Sequence, residues 1–253
     1  MRAAISAALS AAGLSLFFGI WALVAWTTAV PDTILPAPGA VIKRAIALLG
    51  DPLFQESGKA TLARWASGFI SGTVIGFIMG ILVGSWSFTR QLFLPLLDFL
   101  RSIPVTIAFP AFLLAFGLTD TTNVAMAFAG TVFLVALNVA TGVAQASPAR
   151  KAFFHLHRAR WFHRVVYLYV PESIPNLVIA LRATVSLALI VVLVSEMFIG
   201  ANAGLGQMAY NSYLQNAPTT LFAIIIWVGV AGLAANWLFA QVPSVFPQFF
   251  AWS

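Results

Sequence analysis

The sequence predicts an all-α integral membrane protein with about six transmembrane helices. Of its 253 residues, 61% are hydrophobic and 8% are charged, whereas charged residues make up about 25% of a typical soluble chain. The net charge is +6, and the basic residues lie mostly in loops beside apolar windows. This pattern favours membrane topology over nucleic-acid binding. The absence of Cys excludes disulfides, thiolate metal sites and cysteine nucleophiles.

Six windows are long and apolar enough to cross the bilayer as helices. They are Ala11–Val30, Trp65–Trp86, Leu92–Leu118, Val124–Val143, Leu177–Ile199 and Leu221–Phe239. No small-residue cleavage site clearly follows the first window, so we expect it to be retained. The outer loops Thr119–Asn123 and Gly200–Thr220 lack Lys and Arg. Because basic residues favour the cytoplasmic side, we expect both termini inside, in a single transmembrane domain over residues 1–253.

The second window carries a glycine at every fourth position. These are Gly68, Gly72, Gly76, Gly80 and Gly84. Residues four apart lie on one helical face, and small residues there allow a neighbouring helix to approach closely. The stripe therefore predicts a helix packing face. A static face and a seam that slides during transport both fit the pattern.

The third window contains three prolines, Pro95, Pro104 and Pro110. Proline interrupts helical hydrogen bonding, and broken helices at membrane depth often line a cavity or a moving bend. Asp98 and Arg101 lie three residues apart, so they can pair on one helical face. They are either a structural ion pair or part of a pathway in which Arg101 receives an anion.

The fifth window carries Arg182 near its inner end and Glu196 near its outer end. Fourteen helical residues separate them by about 21 Å, so they cannot pair with each other. Each needs another partner or a hydrated cavity. We assign both to the candidate translocation pathway, together with the third-window residues Asp98, Arg101 and Pro104.

The polar loop Ala144–Asn176 contains five of the thirteen Lys and Arg residues and all three His. A basic loop of this size between apolar windows is predicted to lie in the cytoplasm and to meet another protein. We expect no metal site at His155, His157 and His163, because neighbouring arginines would repel a cation and no carboxylate or Cys lies among them. The phosphate-binding Gly-x4-Gly-Lys-Ser/Thr pattern and a Ser/His/Asp arrangement with a nucleophile elbow are absent, so we predict that the chain is not an enzyme.

Four passages, in order along the chain, resemble the permease subunits of binding-protein-dependent type I ABC importers, in particular the nitrate/sulfonate/taurine type. The first is Leu35-Pro36-Ala37-Pro38-Gly39-Ala40-Val41, which resembles the family's Leu-Pro-x-Pro segment. The second is Leu97-Asp98-Phe99-Leu100-Arg101-Ser102-Ile103-Pro104. The third runs from Asn176 to Arg182. The fourth is Ser195-Glu196-Met197-Phe198-Ile199-Gly200 followed by Gly204-Leu205-Gly206.

The resemblance implies a type I ABC importer permease fold in a bacterial inner membrane. It implies that two permease chains, the same or different, form the pathway for a small and mostly anionic solute. Separate ABC ATPase subunits would bind ATP and Mg²⁺, and a periplasmic or lipid-anchored binding protein would deliver the solute. It therefore implies no cofactor in this chain and, besides these proteins, contact only with membrane lipid and not with nucleic acid.

The resemblance also places a coupling helix, which docks on the ATPase, within the loop Ala144–Asn176. The family pattern is Glu-Ala-Ala, three residues, Gly, nine residues, then Ile-x-Leu-Pro. Aligned on Pro171, it puts Glu-Ala-Ala on Ala152-Phe153-Phe154 and glycine on Arg158, or on His157 if shifted by one residue. The coupling candidates are thus Ala152, Phe153, Phe154, His157, Arg158, Arg160, Trp161 and Pro171.

The chain matches the Ile-x-Leu-Pro end of this pattern conservatively but lacks its Glu-Ala-Ala and Gly. This departure leaves several alternatives open for the function of the chain. Either the chain is the degenerate half of a heteromeric permease pair, or it docks on an ATPase with an unusually acidic groove. A scaffold protein that retains the permease fold without a motor is a third alternative. An ion-coupled transporter or a membrane enzyme would need more intramembrane carboxylates than Asp98 and Glu196.

Overall fold

The computed structural model describes residues 2–27, 31, 33–199 and 203–241. Their regular secondary structure is helical. The helices are α1 (Arg2–Trp26), α2 (Pro38–Leu48), α3 (Pro52–Ser85), α4 (Ser87–Ser102), α5 (Phe109–Phe116), α6 (Asp120–Ala144), α7 (Pro148–Leu156), α8 (Trp161–Arg164), α9 (Val170–Ile199), α10 (Leu205–Leu214) and α11 (Pro218–Ala240), with a π-helical turn (Val165–Tyr169) between α8 and α9.

Among the described residues, four helical runs are long and apolar enough to cross a membrane. They are Pro52–Ser85, Asp120–Ala144, Trp161–Ile199 and Pro218–Ala240. They contain the second, fourth, fifth and sixth predicted windows, apart from Trp86. The first window falls on α1, whose apolar stretch Ser15–Trp26 is shorter, and its end at Val30 lies outside the described residues. The predicted all-α membrane fold is confirmed.

Helix α6 lies at the centre of the bundle, between α3 and α9. Along α6, Val135, Val139 and Ala140 have no exposed surface. The five glycines of α3 all face α6, and their contacts advance in the same direction along both helices. A Cβ on Gly68 would lie 2.5 Å from the Ala127 Cβ, and one on Gly80 would lie 2.5 Å from the Val139 Cβ. The two helices therefore run parallel with their backbones in close approach.

The third window is divided into α4 and α5. Helix α4 contains Pro95 and ends at Ser102, and helix α5 begins at Phe109 with Pro110 in its first turn. The residues between them, including Pro104, form turns with short-range backbone bonds such as that from the Ile107 N–H to the Pro104 carbonyl. Proline at 104 and 110 lacks the N–H that a continuous helix would use.

The polar segment Ala144–Asn176 is mostly helical. Helix α7 ends at Leu156, so the predicted coupling window Ala152–Trp161 covers only its second half and the turn that follows. From Trp161 the chain runs helically without interruption to Ile199. The expectation of a loop up to Asn176 is therefore wrong in its second half. Pro171 does not end the helix: a π-helical turn, Val165–Tyr169, precedes it, and Pro171 lies in the first turn of α9, where a missing N–H is tolerated.

Helices α2 and α10 pack at the other end of the bundle, against the start of α11. Buried Val41 and Leu48 of α2 and Ile224 of α11 belong to one hydrophobic cluster. The predicted outer loop Gly200–Thr220 thus contains a helix, α10, while its residues 200–202 lie outside the described residues. At this end the Trp21 indole N–H donates to the Pro36 carbonyl at 3.0 Å, which fixes the Leu-Pro-x-Pro segment to α1.

Candidate functional site

A cavity of about 310 Å³ lies beside the break between α4 and α5. Arg101, Pro104 and Thr106 line it from the break. Gly130 of α6 and Leu187 of α9 contribute to the opposite walls. The cavity is thus mostly apolar, with one guanidinium beside it. An arrangement of this kind can hold a small solute that carries a negative charge.

Asp98 and Arg101 form the ion pair that their spacing allows. The Arg101 Nη2 lies 2.6 Å from the Asp98 Oδ1, and the two side chains are 56% exposed for Asp98 and 42% for Arg101. Such an exposed pair exchanges partners at little cost. Arg101 is therefore available to a solute, whereas Asp98 is not among the residues that line the cavity.

Arg182 is exposed on α9, and no ion pair or side-chain hydrogen bond to it occurs within the described residues. The cavity is lined on α9 by Leu187, Ile190 and Val191, and Arg182 is not among the lining residues. The structure thus brings Arg101 and Pro104 together at the cavity, and places Arg182 more than a helical turn away from it along α9.

Glu196 lies away from the cavity, in a buried ionic cluster near the C-terminal end of α9. It has no exposed surface. The Arg64 Nη1 donates to its Oε1 at 2.7 Å, the Thr61 hydroxyl donates at 2.9 Å, and the Gly206 N–H donates to Oε2 at 3.0 Å. These donors compensate the carboxylate for its burial.

Arg64 extends this cluster to two further elements. Its Nε donates at 2.9 Å to the Oδ1 of Asp120, at the start of α6, and its Nη1 donates at 2.7 Å to the Ala203 carbonyl. The guanidinium thus joins α3, α6, α9 and the segment before α10. A Cβ on Gly204 would lie 2.7 Å from the Glu196 Cδ, so the glycine leaves room for the carboxylate.

Sequence reasoning missed Arg64 and Thr61 as partners of Glu196. Arg64 precedes the second predicted window by one residue and so counts as part of an outer loop. The sequence signal that could have paired them is their predicted depth in the membrane. The start of α3 and the end of α9 are predicted to lie at the same side of the membrane. Matching charges by depth rather than by sequence distance would have paired Arg64 with Glu196.

The turn after α7 is a feature of the predicted coupling region. Arg158 adopts φ 48°, the left-handed region that glycine occupies without strain. This is the position where the resemblance expects glycine, in the register aligned on Pro171. The backbone turn is therefore present although the glycine is not.

The other coupling candidates are divided between two faces. On α7, Phe153 is 55% exposed and Ala152 is also exposed, while Phe154 packs against the hydrophobic core. His157 lies beside Phe153, with ring centroids 4.2 Å apart. Trp161 instead turns toward the bundle and stacks on Trp86 with ring centroids 5.5 Å apart. Arg160 is exposed in the turn, and Pro171 lies in the first turn of α9.

A polar cleft of about 380 Å³ lies at the same end of the bundle as Glu196, between α10 and the start of α3. Gln207 and Asn211 of α10 and Gln215 just after it line one side, and Arg44 and Asp51 line the opposite side. The Arg44 Nε donates to the Thr220 hydroxyl at 3.0 Å. The part of Gly200–Thr220 that lines the cleft is thus mostly helical.

The chain is similar to known transport permeases over most of its length. It is 25% identical to the nitrate import permease protein NrtB of Synechocystis sp., over 83% of this chain and 80% of that protein. It is 30% identical to the formylaminopyrimidine transport permease protein ThiX of Halalkalibacterium halodurans, over 85% of this chain and 86% of that protein.

The fold matches a chain from inward-facing crystal structures of the MetNI methionine ABC transporter. The TM-score is 0.55, with 20% identity over 76% of this chain and 98% of that chain. A family profile described as the inner membrane component of binding-protein-dependent transport systems matches residues 72–243. The resemblance to importer permeases is confirmed, and the chain belongs to the family of binding-protein-dependent transport system inner membrane components.

Proposed function

We propose that this chain is one of two permease chains that form the pathway of an ATP-driven importer, with the cavity beside Arg101 as part of that pathway. The broken third span carries the proposal. Irregular backbone at membrane depth is tolerated only where it is buried in protein or lines a cavity. Here the backbone between Ser102 and Phe109 borders a cavity of about 310 Å³.

The solute class that fits this cavity best is a small anion. Arg101 lines the cavity, and Arg182 is an exposed cation farther along α9 with no ion pair among the described residues. A guanidinium binds carboxylate, sulfonate or nitrate oxygens through paired N–H groups. The name of NrtB, which specifies nitrate, agrees with this choice, whereas that of ThiX specifies formylaminopyrimidine. The proposal therefore rests on the two arginines.

Helix α7 is the proposed contact with a separate ATPase, which would bind ATP and Mg²⁺ itself. Phe153 and Leu156 are 55% and 83% exposed on this short helix outside the spans. An amphipathic helix with exposed apolar side chains fits a groove on a partner. Coupling would then pass from α7 through the turn at Arg158 into the long helix that begins at Trp161.

The end that carries α7 is proposed to face the cytoplasm, with both termini on that side. The basic segment around α7 supports this orientation, and the uncharged α10 would meet a substrate-binding protein outside. The predicted C-terminal end lies outside the described residues. A heteromeric pair is the second candidate, because Ala152 stands where the coupling pattern has Glu.

Reconstitution tests this function directly. The chain, its ATPase and its binding protein would be placed in liposomes, and ATP-driven uptake of labelled nitrate and small sulfonates would be measured. We expect Arg101→Gln to lower uptake at least tenfold while ATPase subunits remain bound. Lys59→Gln removes the same charge from an exposed site outside the cavity and should leave uptake unchanged. Equal uptake by Arg101→Gln and the unaltered chain would contradict the proposal.

A further inference from the structure

A basic cleft of about 190 Å³ opens where α7 and α8 meet the inner ends of α3, α4 and α6. Arg90 of α4, Lys151 and His155 of α7, and Arg164 of α8 line it. Three helices thus direct cationic or ionisable groups into one small space. No role in the proposed pathway uses these groups.

Within the described part of the chain, no ion pair joins Arg90, Lys151 or Arg164 to a carboxylate. Glu172 acts on Lys151, but this carboxylate is paired with Arg150 at 2.8 Å. The Lys151 Nζ donates to the Ala144 carbonyl at 2.7 Å, and the Arg164 Nε is buried without a described acceptor. Like charges held together in this way favour the binding of an anion.

The charge on Lys151 is disfavoured as the cleft stands. Burial and the neighbouring Arg90 guanidinium lower the pKa of the Lys151 ammonium, and Glu172 opposes them only in part. A bound anion would act in the opposite direction and raise the pKa of the Lys151 ammonium. The electrostatics of the cleft and its missing acceptors therefore point to the same class of ligand.

The depth of the cleft corresponds to the membrane surface. Gly84 and Ser85 of its lining are in the last turn of α3, and Val143 is in the last turn of α6. Trp86 and Trp161 stack beside it, and Trp is enriched at the membrane–water interface. Ser87 of its lining begins the 16-residue α4, whose free N–H groups add positive potential.

Two exposed apolar side chains stand close in sequence to lining residues, at the ends of α3 and α4 nearest the cleft. Leu82 of α3 is 42% exposed and Phe88 of α4 is 76% exposed. A soluble anion would make no use of these surfaces. The acyl chains of a lipid whose headgroup lies in the cleft would cover them.

We propose that this cleft binds the phosphate of an anionic phospholipid headgroup, in the leaflet that faces the partner ATPase. Basic pockets between transmembrane helices at the cytoplasmic surface suit such headgroups. The phosphate oxygens accept from Arg90, Lys151 and Arg164, which come from three different helices. The lipid thereby fastens α7 to α4 and becomes part of the joint between the ATPase contact and the spans.

Native mass spectrometry of the purified permease complex tests this assignment. The probes are dioleoyl phosphatidylglycerol, dioleoyl phosphatidylcholine and inorganic phosphate. For the unaltered chain we expect at least tenfold tighter binding of the first phosphatidylglycerol than of phosphatidylcholine. Arg90→Gln/Arg164→Gln should weaken that binding about 30-fold, because each basic residue near an anionic lipid adds a constant increment of affinity.

Arg158→Gln/Arg160→Gln is the matched control, since it removes two exposed charges from the same segment outside the cleft. It should leave phosphatidylglycerol binding within about threefold of the unaltered chain. Equal weakening by both double variants, or equal binding of the two lipids by the unaltered chain, would overturn the proposal. Displacement of phosphatidylglycerol by an equal concentration of inorganic phosphate would identify a free-phosphate site and overturn the lipid assignment.

Discussion

At the scale of single residues, the chain holds charges in two contrasting ways. The Arg64–Glu196 pair is buried, with side chains 8% and 0% exposed, whereas Asp98–Arg101 is 56% and 42% exposed. Removing one partner of a buried pair leaves an uncompensated charge, at a cost of about 3–5 kcal/mol. An exposed pair contributes about 1 kcal/mol or less.

The first prediction follows from this contrast. Arg64→Met should lower the melting temperature of the detergent-solubilised protein, because Glu196 would be left charged without its guanidinium partner. Arg64→Met/Glu196→Gln should recover part of the loss, since the amide oxygen still accepts from Thr61. Asp98→Asn serves as the control and should shift the temperature little. A double variant less stable than Arg64→Met would refute this account.

The second prediction concerns the left-handed turn at Arg158. Arg158→Gly should stabilise the protein, because a non-glycine residue at φ 48° bears strain of about 1 kcal/mol that glycine avoids. Arg158→Gln loses the same charge and keeps the Cβ, so it separates backbone strain from electrostatics. We expect a higher melting temperature for Arg158→Gly than for Arg158→Gln. Equal melting temperatures would show that backbone strain at this position does not affect stability.

At the scale of elements, the close approach of α3 to α6 depends on glycine. On Gly80 a methyl group would meet the Val139 Cβ at 2.5 Å and the Ala136 carbonyl at 2.7 Å, whereas on Gly58 of the same helix it would meet nothing within 4 Å. The first site faces the backbone and the branched side chain of α6, which cannot yield cheaply.

Gly80→Ala should therefore destabilise the protein by about 1–3 kcal/mol, and Gly58→Ala should be neutral or slightly stabilising because alanine favours the helix. Chemical denaturation in mixed micelles measures both variants. If the two substitutions had the same effect, the glycine contact would carry no packing energy. Uptake per folded Gly80→Ala molecule would distinguish the two roles of the glycine face. A static packing face predicts unchanged uptake per folded molecule, and a sliding seam predicts reduced uptake.

The helices also show which features of the structure hydropathy predicts and which it does not. Hydropathy locates the four longest spans well, because an uninterrupted apolar stretch of about twenty residues is rare outside membrane-spanning helices. It locates their ends less well. Helix α3 begins at Pro52, well before Trp65, and the helical run from Trp161 continues through Pro171. Proline favours a helix end in sequence, but here Pro171 lies in the first turn of α9, where a missing N–H is tolerated.

At the scale of the whole molecule, the orientation of the chain in the membrane can be tested by labelling introduced cysteines. The chain contains no Cys. A single introduced cysteine is therefore the only thiol that can be labelled, and its labelling shows on which side of the membrane it lies. Leu156 at the end of α7 is 83% exposed and Tyr213 on α10 is 65% exposed. The substitutions Leu156→Cys and Tyr213→Cys each replace an exposed side chain near a helix end.

In intact cells, a membrane-impermeant maleimide should label Tyr213→Cys and spare Leu156→Cys, because basic segments remain on the cytoplasmic side. In inside-out vesicles from cells that express this chain without its ATPase, which would otherwise cover α7, the labelling should be reversed. Labelling of Leu156→Cys in intact cells would overturn the proposed orientation and with it the placement of the ATPase contact.

The candidate site is predictable to different degrees across the molecule. Arg101 and Pro104 at the broken span follow from composition alone, since proline and charge are rare inside apolar windows. The buried cluster does not, because Thr61, Arg64 and Gly206 come from separate elements that only the tertiary fold brings to Glu196. The basic cleft at Arg90 likewise combines residues from several elements.

The uninterrupted helical run from Trp161 to Ile199 has a mechanical consequence. Its 39 residues extend for about 58 Å if helical throughout, from the turn beside α7 to the residues around Glu196. Because one piece of backbone joins the two ends, a tilt of about 5° would displace one end by about 5 Å relative to the other. A small rotation imposed at the end beside α7 would therefore move the end at Glu196 by leverage, without a relay of intervening contacts.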